Sequence, residues 1–286
     1  MRIFRGKRTI DPQRSAPLRL VVGLNQVDQM VDGGWDVRLN LPTDAAELEI
    51  QRKCEDIIRR LSAATKINSR HIEYYSALKR YRLDELLVRV IENSYAGFKL
   101  AQIKPAPYWE VDGVDPAVAL HIEQELARRA TSSQASQMPS SEKLLKDLRT
   151  VLSEEDLERL ESAFTAEQQV VPKVAVLGQR GVGKTTTVNA LFATDWVTNP
   201  VEVGTQSAQD KTVQLASGDT ITIVDLPGYG RSIKEDAEYE RIYQDVVLGC
   251  DLLLLIIQAD RGDLADDVEM IIKLNNWLTK SAASLR

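Results

Sequence analysis

Residues 178–185 read GQRGVGKT, and these residue types in this order are suited to holding a polyphosphate. Gly178, Gly181 and Gly183 let successive backbone N–H groups converge on phosphate oxygens with no Cβ in the way. A helix opening at the end of the run adds its partial positive charge. Lys184 is placed to neutralise the β and γ phosphates, and Thr185 to offer its hydroxyl to Mg²⁺. Gln179, Arg180, Val182 and Thr186 complete the cradle, with Arg180 either a built-in cation for the phosphates or a solvated loop-tip arginine. The context fits the motif: the apolar run KVAVL precedes it, and Val188, Leu191 and Phe192 recur at helical spacing after it.

A second carboxylate-and-glycine pattern follows some forty residues on. Asp225-Leu226-Pro227-Gly228 ends the branched run ITIV, so Asp225 is expected to hold Mg²⁺ through water and the Gly228 N–H to meet the γ-phosphate. Between the two motifs lies the loop NPVEVGTQSAQDKT, in which Thr205 is the expected third metal ligand and Thr198 the alternative. Two more short motifs stand near the front of the chain. The run LRLVVGL ends in Asn25-Gln26-Val27-Asp28, and HIEYY ends in Ser76-Ala77-Leu78-Lys79. Taken singly, NxxD is a common turn or helix-capping sequence and Ser-Ala carries little. The signal lies in the pair, each closing a strand and separated by one helical pattern.

Together GQRGVGKT, DLPG, NQVD and SALK resemble the P-loop, DxxG, NKxD and SAK motifs of the Era/TrmE-like, 50S ribosome-binding family of P-loop GTPases. The resemblance covers residues 18–104 and 171–286 but in rotated order. After DLPG the chain supplies one strand and one helix and then stops at Arg286, while the strands bearing the base motifs stand at the front. It therefore resembles a circularly permuted G domain. Permuted GTPases that help to assemble ribosomes also place base motifs before the P-loop, but their cut precedes the strand before NKxD, whereas here it follows that strand's helix.

The resemblance implies GTP·Mg²⁺ binding, hydrolysis to GDP and two nucleotide-dependent switch loops, with Lys184, Thr205, Gly228 and Arg180 around the reacting phosphate. Asp28 would accept two hydrogen bonds from guanine N1–H and its exocyclic amine, a pattern adenine lacks. Asn25 would brace the loop and guanine N7, Ala77 N–H would meet guanine O6, and Ser76 and Leu78 would shape that turn. Gln26 replaces the family's lysine. Tyr229 stands where many small GTPases carry a water-orienting glutamine, so slow turnover without a partner is expected. Gly181 stands where the family often has asparagine, which argues against potassium activation. Tyr229 and Gln26 keep a non-hydrolysing guanine-nucleotide module in view; an ATP-using P-loop enzyme is the third reading, opposed by Asp28.

The elements that must position these residues are legible in outline. Apolar runs at 18–24, 71–75, 173–177, 212–216, 220–224 and 252–257 read as strands, with a hairpin turn at Ser217-Gly218-Asp219. Helical stripes at Ile50, Cys54, Ile57, Ile58 and Leu61, at Leu83 to Ile91, and over 264–280 alternate with them, the first after an expected Asp44-to-Glu47 capping box. This predicts an α/β fold, a doubly wound, mostly parallel sheet of about six strands shared by both chain halves. The expected organisation is an N-terminal tail at 1–17, a base-binding half at 18–104, a helical connector at 105–170 and a phosphate-binding half at 171–286. Helices are expected near 116–130 and 141–168.

Composition narrows the rest. With 36 basic against 42 acidic residues, the net charge of −6 gives no general field for nucleic acid or anionic membrane. Cys54 and Cys250 form no metal or redox motif, His71 and His121 stand alone, and the longest apolar run, 252–257, is too short to span a bilayer. A cytoplasmic protein is expected, with guanine nucleotide as ligand and an effector or activating protein as partner. The ribosome and a second copy of the chain are the partners to consider.

Overall fold

The computed structural model describes residues 19–93, 105, 107–132, 171–192, 209–214, 220–230 and 233–284. The expected switch threonines Thr205 and Thr198, the turn at 217–219, the helix at 141–168 and the tail at 1–17 lie outside the described residues.

Along the chain run β1 (Leu20–Asn25), β2 (Trp35–Asp36), β3 (Leu41–Pro42), α1 (Asp44–Leu61), β4 (Ile72–Tyr74), α2 (Leu83–Glu92) and α3 (Pro116–Ser132). Then follow β5 (Lys173–Leu177), α4 (Lys184–Phe192), β6 (Gln209–Gln214), β7 (Thr220–Asp225), α5 (Ile233–Val247), β8 (Leu252–Gln258) and α6 (Ala265–Ser284). Six strands form one sheet in the order β4-β1-β8-β5-β7-β6. Five run parallel, and β6 closes the edge antiparallel to β7, Gln209 facing Asp225 and Gln214 facing Thr220. β8 is the seam, pairing with β1 on one side (Leu20 with Leu253 through Asn25 with Gln258) and with β5 on the other (Val174 with Leu252).

β1 and residues 252–257 of β8 are buried throughout, as strands covered on both faces must be. One face carries α1, α5 and α6 through Ile50, Ile57, Leu61, Tyr243, Val247, Ile271 and Leu274. The other carries α2 and α4 through Leu83, Leu86, Val90, Val188 and Leu191. Each such aliphatic side chain is worth about 1.5–3 kcal/mol on burial, so the layers hold the strand register. Because five strands are parallel, their carboxyl ends share one edge, and the motif-bearing loops collect there.

One local expectation is corrected, the Asp44-to-Glu47 capping box. α1 is capped by Thr43, whose hydroxyl accepts from the Ala46 amide, and Glu47 turns instead to Tyr74 on the neighbouring strand. The short β2–β3 hairpin, Trp35 opposite Pro42, was not legible, since two-residue strands carry no periodicity.

Among the described residues, 37–39 with 109–132 and 171 form a second compact unit, and the others belong to the sheet unit. Within the second unit Arg38 pairs with Asp115 at 2.6 Å, and the Asp115 carboxylate accepts from the Ala117 amide at the start of α3.

Candidate functional site

The P-loop joins β5 to α4 and is held in shape by its own lysine. Lys184 is buried, its Nζ donating to the Gly178 and Gln179 carbonyls at 3.2 and 3.1 Å. Gly181 and Gly183 take φ of +83° and +86°, the left-handed region where a Cβ is strained. Gly183 is also pressed from outside, since a Cβ there would stand 2.4 Å from Asn25 Nδ2. Arg180 is exposed at the loop tip. Thr185 Oγ1 donates to Asp225 Oδ2 at 2.8 Å, which joins the P-loop helix to the end of β7. A hydroxyl and a carboxylate oxygen so close are hard donors of the kind Mg²⁺ takes. Among the described residues no group of three His, Cys, Asp or Glu gathers as a metal site.

Asn25 carries the strongest link across the sheet edge. It closes β1 with only 2% of its surface exposed. Its Nδ2 donates to the Val182 carbonyl in the P-loop at 2.9 Å, and its Oδ1 accepts from the Ala77 amide at 3.0 Å. One side chain thus fastens the phosphate loop, 157 residues further along the sequence, to the loop after β4. Tyr75 adds a second tie: its hydroxyl lies 2.8 Å from Thr187 Oγ1, which itself donates to the Gly183 carbonyl, so Tyr75 is the donor. Burial raises the pKa of the Tyr75 phenol, as for a group kept neutral.

Gln26 sits at φ +65°, and its amide reaches the Gly181 carbonyl at 3.5 Å. Asp28 follows in a short 3₁₀ turn, and its Oδ1 is buried without a hydrogen-bond partner among the described residues. A buried carboxylate oxygen lacking a donor is costly unless a ligand supplies one. The 76–81 loop is closed on itself, with Ser76 and Tyr81 exchanging backbone bonds and Ser76 Oγ accepting from the Lys79 amide. The Ala77 N–H, expected to meet guanine O6, is given to Asn25 instead. Leu78, one residue on, is 65% exposed.

Asn40 was not legible in the sequence. It is 1% exposed at φ +54°, donates to the Lys79 and Tyr108 carbonyls at 2.8 and 3.0 Å, and accepts from Trp35 Nε1 at 3.2 Å. Trp35 meets Tyr81 edge to face at 5.1 Å. The β2–β3 hairpin therefore clamps the far side of the 76–81 loop. From below, Glu73 is buried and pairs with Arg82 and Arg89, while Arg82 lies 4.2 Å over the Tyr74 ring.

The P-loop and the DLPG loop lie against each other. A Cβ on Gly228 would stand 2.7 Å from the Arg180 amide nitrogen, so only glycine allows this approach. Tyr229 faces the core, not the phosphate side: it is 3% exposed and its hydroxyl donates to Asp267 Oδ1 at 2.6 Å. Gln179, expected to line the nucleotide, turns its side chain inward as well, Nε2 donating to Asp267 Oδ2 at 3.1 Å. Burial, above all, raises the pKa of the Asp267 carboxyl and drives the Tyr229 phenol well up. Asp267 was missed because, with Asp266, it reads as an ordinary acidic residue complementing a helix N-terminus.

A parallel sheet with a P-loop at the end of β5 and DLPG at the end of β7 defines the G-domain type of P-loop NTPase. Residues 173–283 match the family described as 50S ribosome-binding GTPase. The chain is 35% identical over 132 residues to the uncharacterized protein YkfA of Escherichia coli (strain K12), a match spanning 46% of this chain and 44% of that protein. It is 31% identical over 110 residues to GTPase Der of Cytophaga hutchinsonii, covering 37% and 25% of the two chains. Among solved structures, the G domain of the T. maritima FeoB iron transporter aligns at 26% identity over 41% of this chain and 67% of that one, with a TM-score of 0.23. The chain spans less than half the length of the curated relatives it matches. The phosphate-binding part, residues 173–283, is thus similar to a P-loop GTPase domain. No helix among the described residues is long and apolar enough to cross a membrane.

Proposed function

We propose that this chain binds guanine nucleotide in a circularly permuted G domain, hydrolyses GTP to GDP, and acts as a nucleotide-dependent switch. The observation that carries the reading is Asn25, which ties the P-loop at Val182 to the loop at Ala77, with Asp28 Oδ1, buried and without a hydrogen-bond partner among the described residues, three residues along. The strand order supports the permutation. Read from the P-loop strand, β5, β8, β1 and β4 lie side by side as the strands of an unpermuted G domain follow one another, with the tether between the old ends falling at 105–170.

In this reading the P-loop amides and Lys184 hold the phosphates, and Asp28 selects guanine by accepting from N1–H and the exocyclic amine. The Leu78 amide takes the role first given to Ala77, facing O6. Thr185 and Asp225 would hold Mg²⁺, which when bound neutralises charge on the β and γ phosphate oxygens. Gly228 N–H meets the γ-phosphate, and Thr205 completes the set. Attack of water on the γ-phosphorus breaks the bond to the β–γ bridging oxygen, leaving GDP and inorganic phosphate. Tyr229 is turned away and bonded to Asp267, so this chain offers no side chain at that position to orient the water. Slow turnover, raised by an activating partner in the cytoplasm, follows. The similarity to 50S ribosome-binding GTPases makes the 50S ribosome the first partner to test.

The buried Tyr229 also favours a second reading, a module that binds guanine nucleotide without hydrolysing it. Equilibrium binding of labelled GTP, GDP and ATP, with Lys184→Ala as control, tests the ligand. Single-turnover hydrolysis of Mg²⁺·GTP separates the two readings. Turnover that vanishes in Lys184→Ala removes the module; tight binding of ATP removes both.

A further inference from the structure

Beside the DLPG loop, three buried polar side chains converge that no step of the proposed reaction uses. Asp267, 1% exposed on the first turn of α6, accepts from Tyr229 at one carboxylate oxygen and from Gln179 at the other. The donors belong to the two loops that must close on a γ-phosphate. Gln179 is the second residue of the P-loop, and Tyr229 directly follows Gly228. Their backbones form a parallel bridge that prolongs the β5–β7 pairing.

The glycines on either side of Tyr229 tighten the arrangement. Gly228 rests on the Arg180 backbone, while a Cβ on Gly230 would stand 2.8 Å from Asp266 Oδ2 and 3.2 Å from Gln179 Oε1. The Tyr243 hydroxyl donates to the Pro227 carbonyl at 2.5 Å and fixes the loop's other shoulder from α5. The segment Pro227 to Gly230 is thus gripped by the P-loop, α5 and α6 together. Filling this space does not require a charge: burying a carboxylate is unfavourable unless donors satisfy it, and an apolar residue would fill the same place more cheaply. What the carboxylate adds is simultaneous acceptance from two separate loops, which an aliphatic side chain cannot provide.

We infer that Asp267 is the positioning residue of the DLPG loop: by holding Tyr229 and Gln179 at once it sets where the Gly228 N–H stands relative to the P-loop. This rests on the reading of Gly228 as the γ-phosphate donor. Tyr229 is then an anchor and not a substitute for a water-orienting glutamine. Any displacement of Gly228 is passed through one peptide unit to Tyr229 and, through its hydroxyl, to the first turn of α6. It emerges at the cleft between α5 and α6 lined by Tyr229, Tyr243, Asp266, Met270 and Trp277.

The test compares wild type, Tyr229→Phe and Asp267→Asn for affinity toward GDP and a non-hydrolysable GTP analogue, and for single-turnover hydrolysis. Tyr229→Phe keeps the ring in the core and removes only the anchoring bond, so it remains informative should Asp267→Asn fold poorly. GDP has no γ-phosphate for Gly228 to meet, so its affinity should stay within about twofold, while analogue affinity falls about fivefold and hydrolysis about tenfold. The double variant should lose little more than either single one, the mark of a shared interaction. Proportional loss for both nucleotides alongside a lower Tm, as a purely structural brace would give, overturns the inference, as does no change in either. Failure of the wild-type chain to bind guanine nucleotide overturns the underlying reading too, and shows itself before any variant is made.

Discussion

Replacing Asn25 by Ala strips partners from two buried backbone groups at once. The Val182 carbonyl loses its donor at 2.9 Å and the Ala77 amide its acceptor at 3.0 Å. Asn25 is 2% exposed, so water does not readily replace it. A buried polar group left unpaired costs about 1–3 kcal/mol, which puts the sum for two near 3–4 kcal/mol, a large share of the roughly 5–15 kcal/mol that holds a domain together. Urea unfolding followed by tryptophan fluorescence, with linear extrapolation, measures it. Asn25→Asp is the companion variant: it keeps the acceptor for Ala77 but sets a carboxylate oxygen against the Val182 carbonyl, and is expected to be at least as damaging. A loss below about 1 kcal/mol in Asn25→Ala would mean that the P-loop and the 76–81 loop are fastened by something else, and the reasoning about this bridge would fail.

Three further outcomes follow from particular contacts. Asn40→Ala frees the Lys79 and Tyr108 carbonyls and the Trp35 indole N–H, so stability should fall by about 2–3 kcal/mol and bound GDP should dissociate faster, read by urea titration and by stopped-flow displacement of a fluorescent GDP. Gly183→Ala would force a Cβ to within 2.4 Å of Asn25 Nδ2 at φ +86°, and should cost at least about 2 kcal/mol in the same titration, whereas Gly262→Ala, where a Cβ meets nothing, should cost little. The Asp267 carboxyl has its pKa raised by burial, so the native state holds that proton more tightly than the unfolded chain does. Stability from this group is therefore fully present below the ordinary carboxylate range and is lost as pH rises through the folded value. In Asp267→Asn that part of the slope of Tm against pH should disappear, and an unchanged slope would contradict the assignment.

Much of the architecture is legible because strand runs such as LVVGLN and LLLLIIQ are apolar, branched and bounded by turns, and because parallel strands must be covered on both faces. The motif residues are legible for a different reason. Phosphate binding demands glycines, a lysine and a hydroxyl at fixed spacing, so chemistry writes itself into residue type. What escaped detection is what depends on tertiary direction. Asp267 and Asp266 are indistinguishable in sequence, yet one lies buried between two loops and the other faces out. Gln179 belongs to a motif of nucleotide-binding residues but points its amide away from it. Asn40 is an asparagine in a turn until Lys79, Tyr108 and Trp35 are brought around it. The Ala77 amide illustrates the same limit: its place in SALK predicts a base contact, and its hydrogen bond to Asn25 exists only once β1 and β4 are paired.

Whether the Asp28 carboxylate and Lys184 enclose one guanine nucleotide is measured most directly by a calorimetric titration of wild type and Asp28→Asn with GDP and with xanthosine diphosphate. Wild type should favour GDP. The variant, having exchanged an acceptor for a donor, should reverse the preference, with GDP weakened by about a hundredfold. Unchanged GDP affinity in Asp28→Asn would contradict the account.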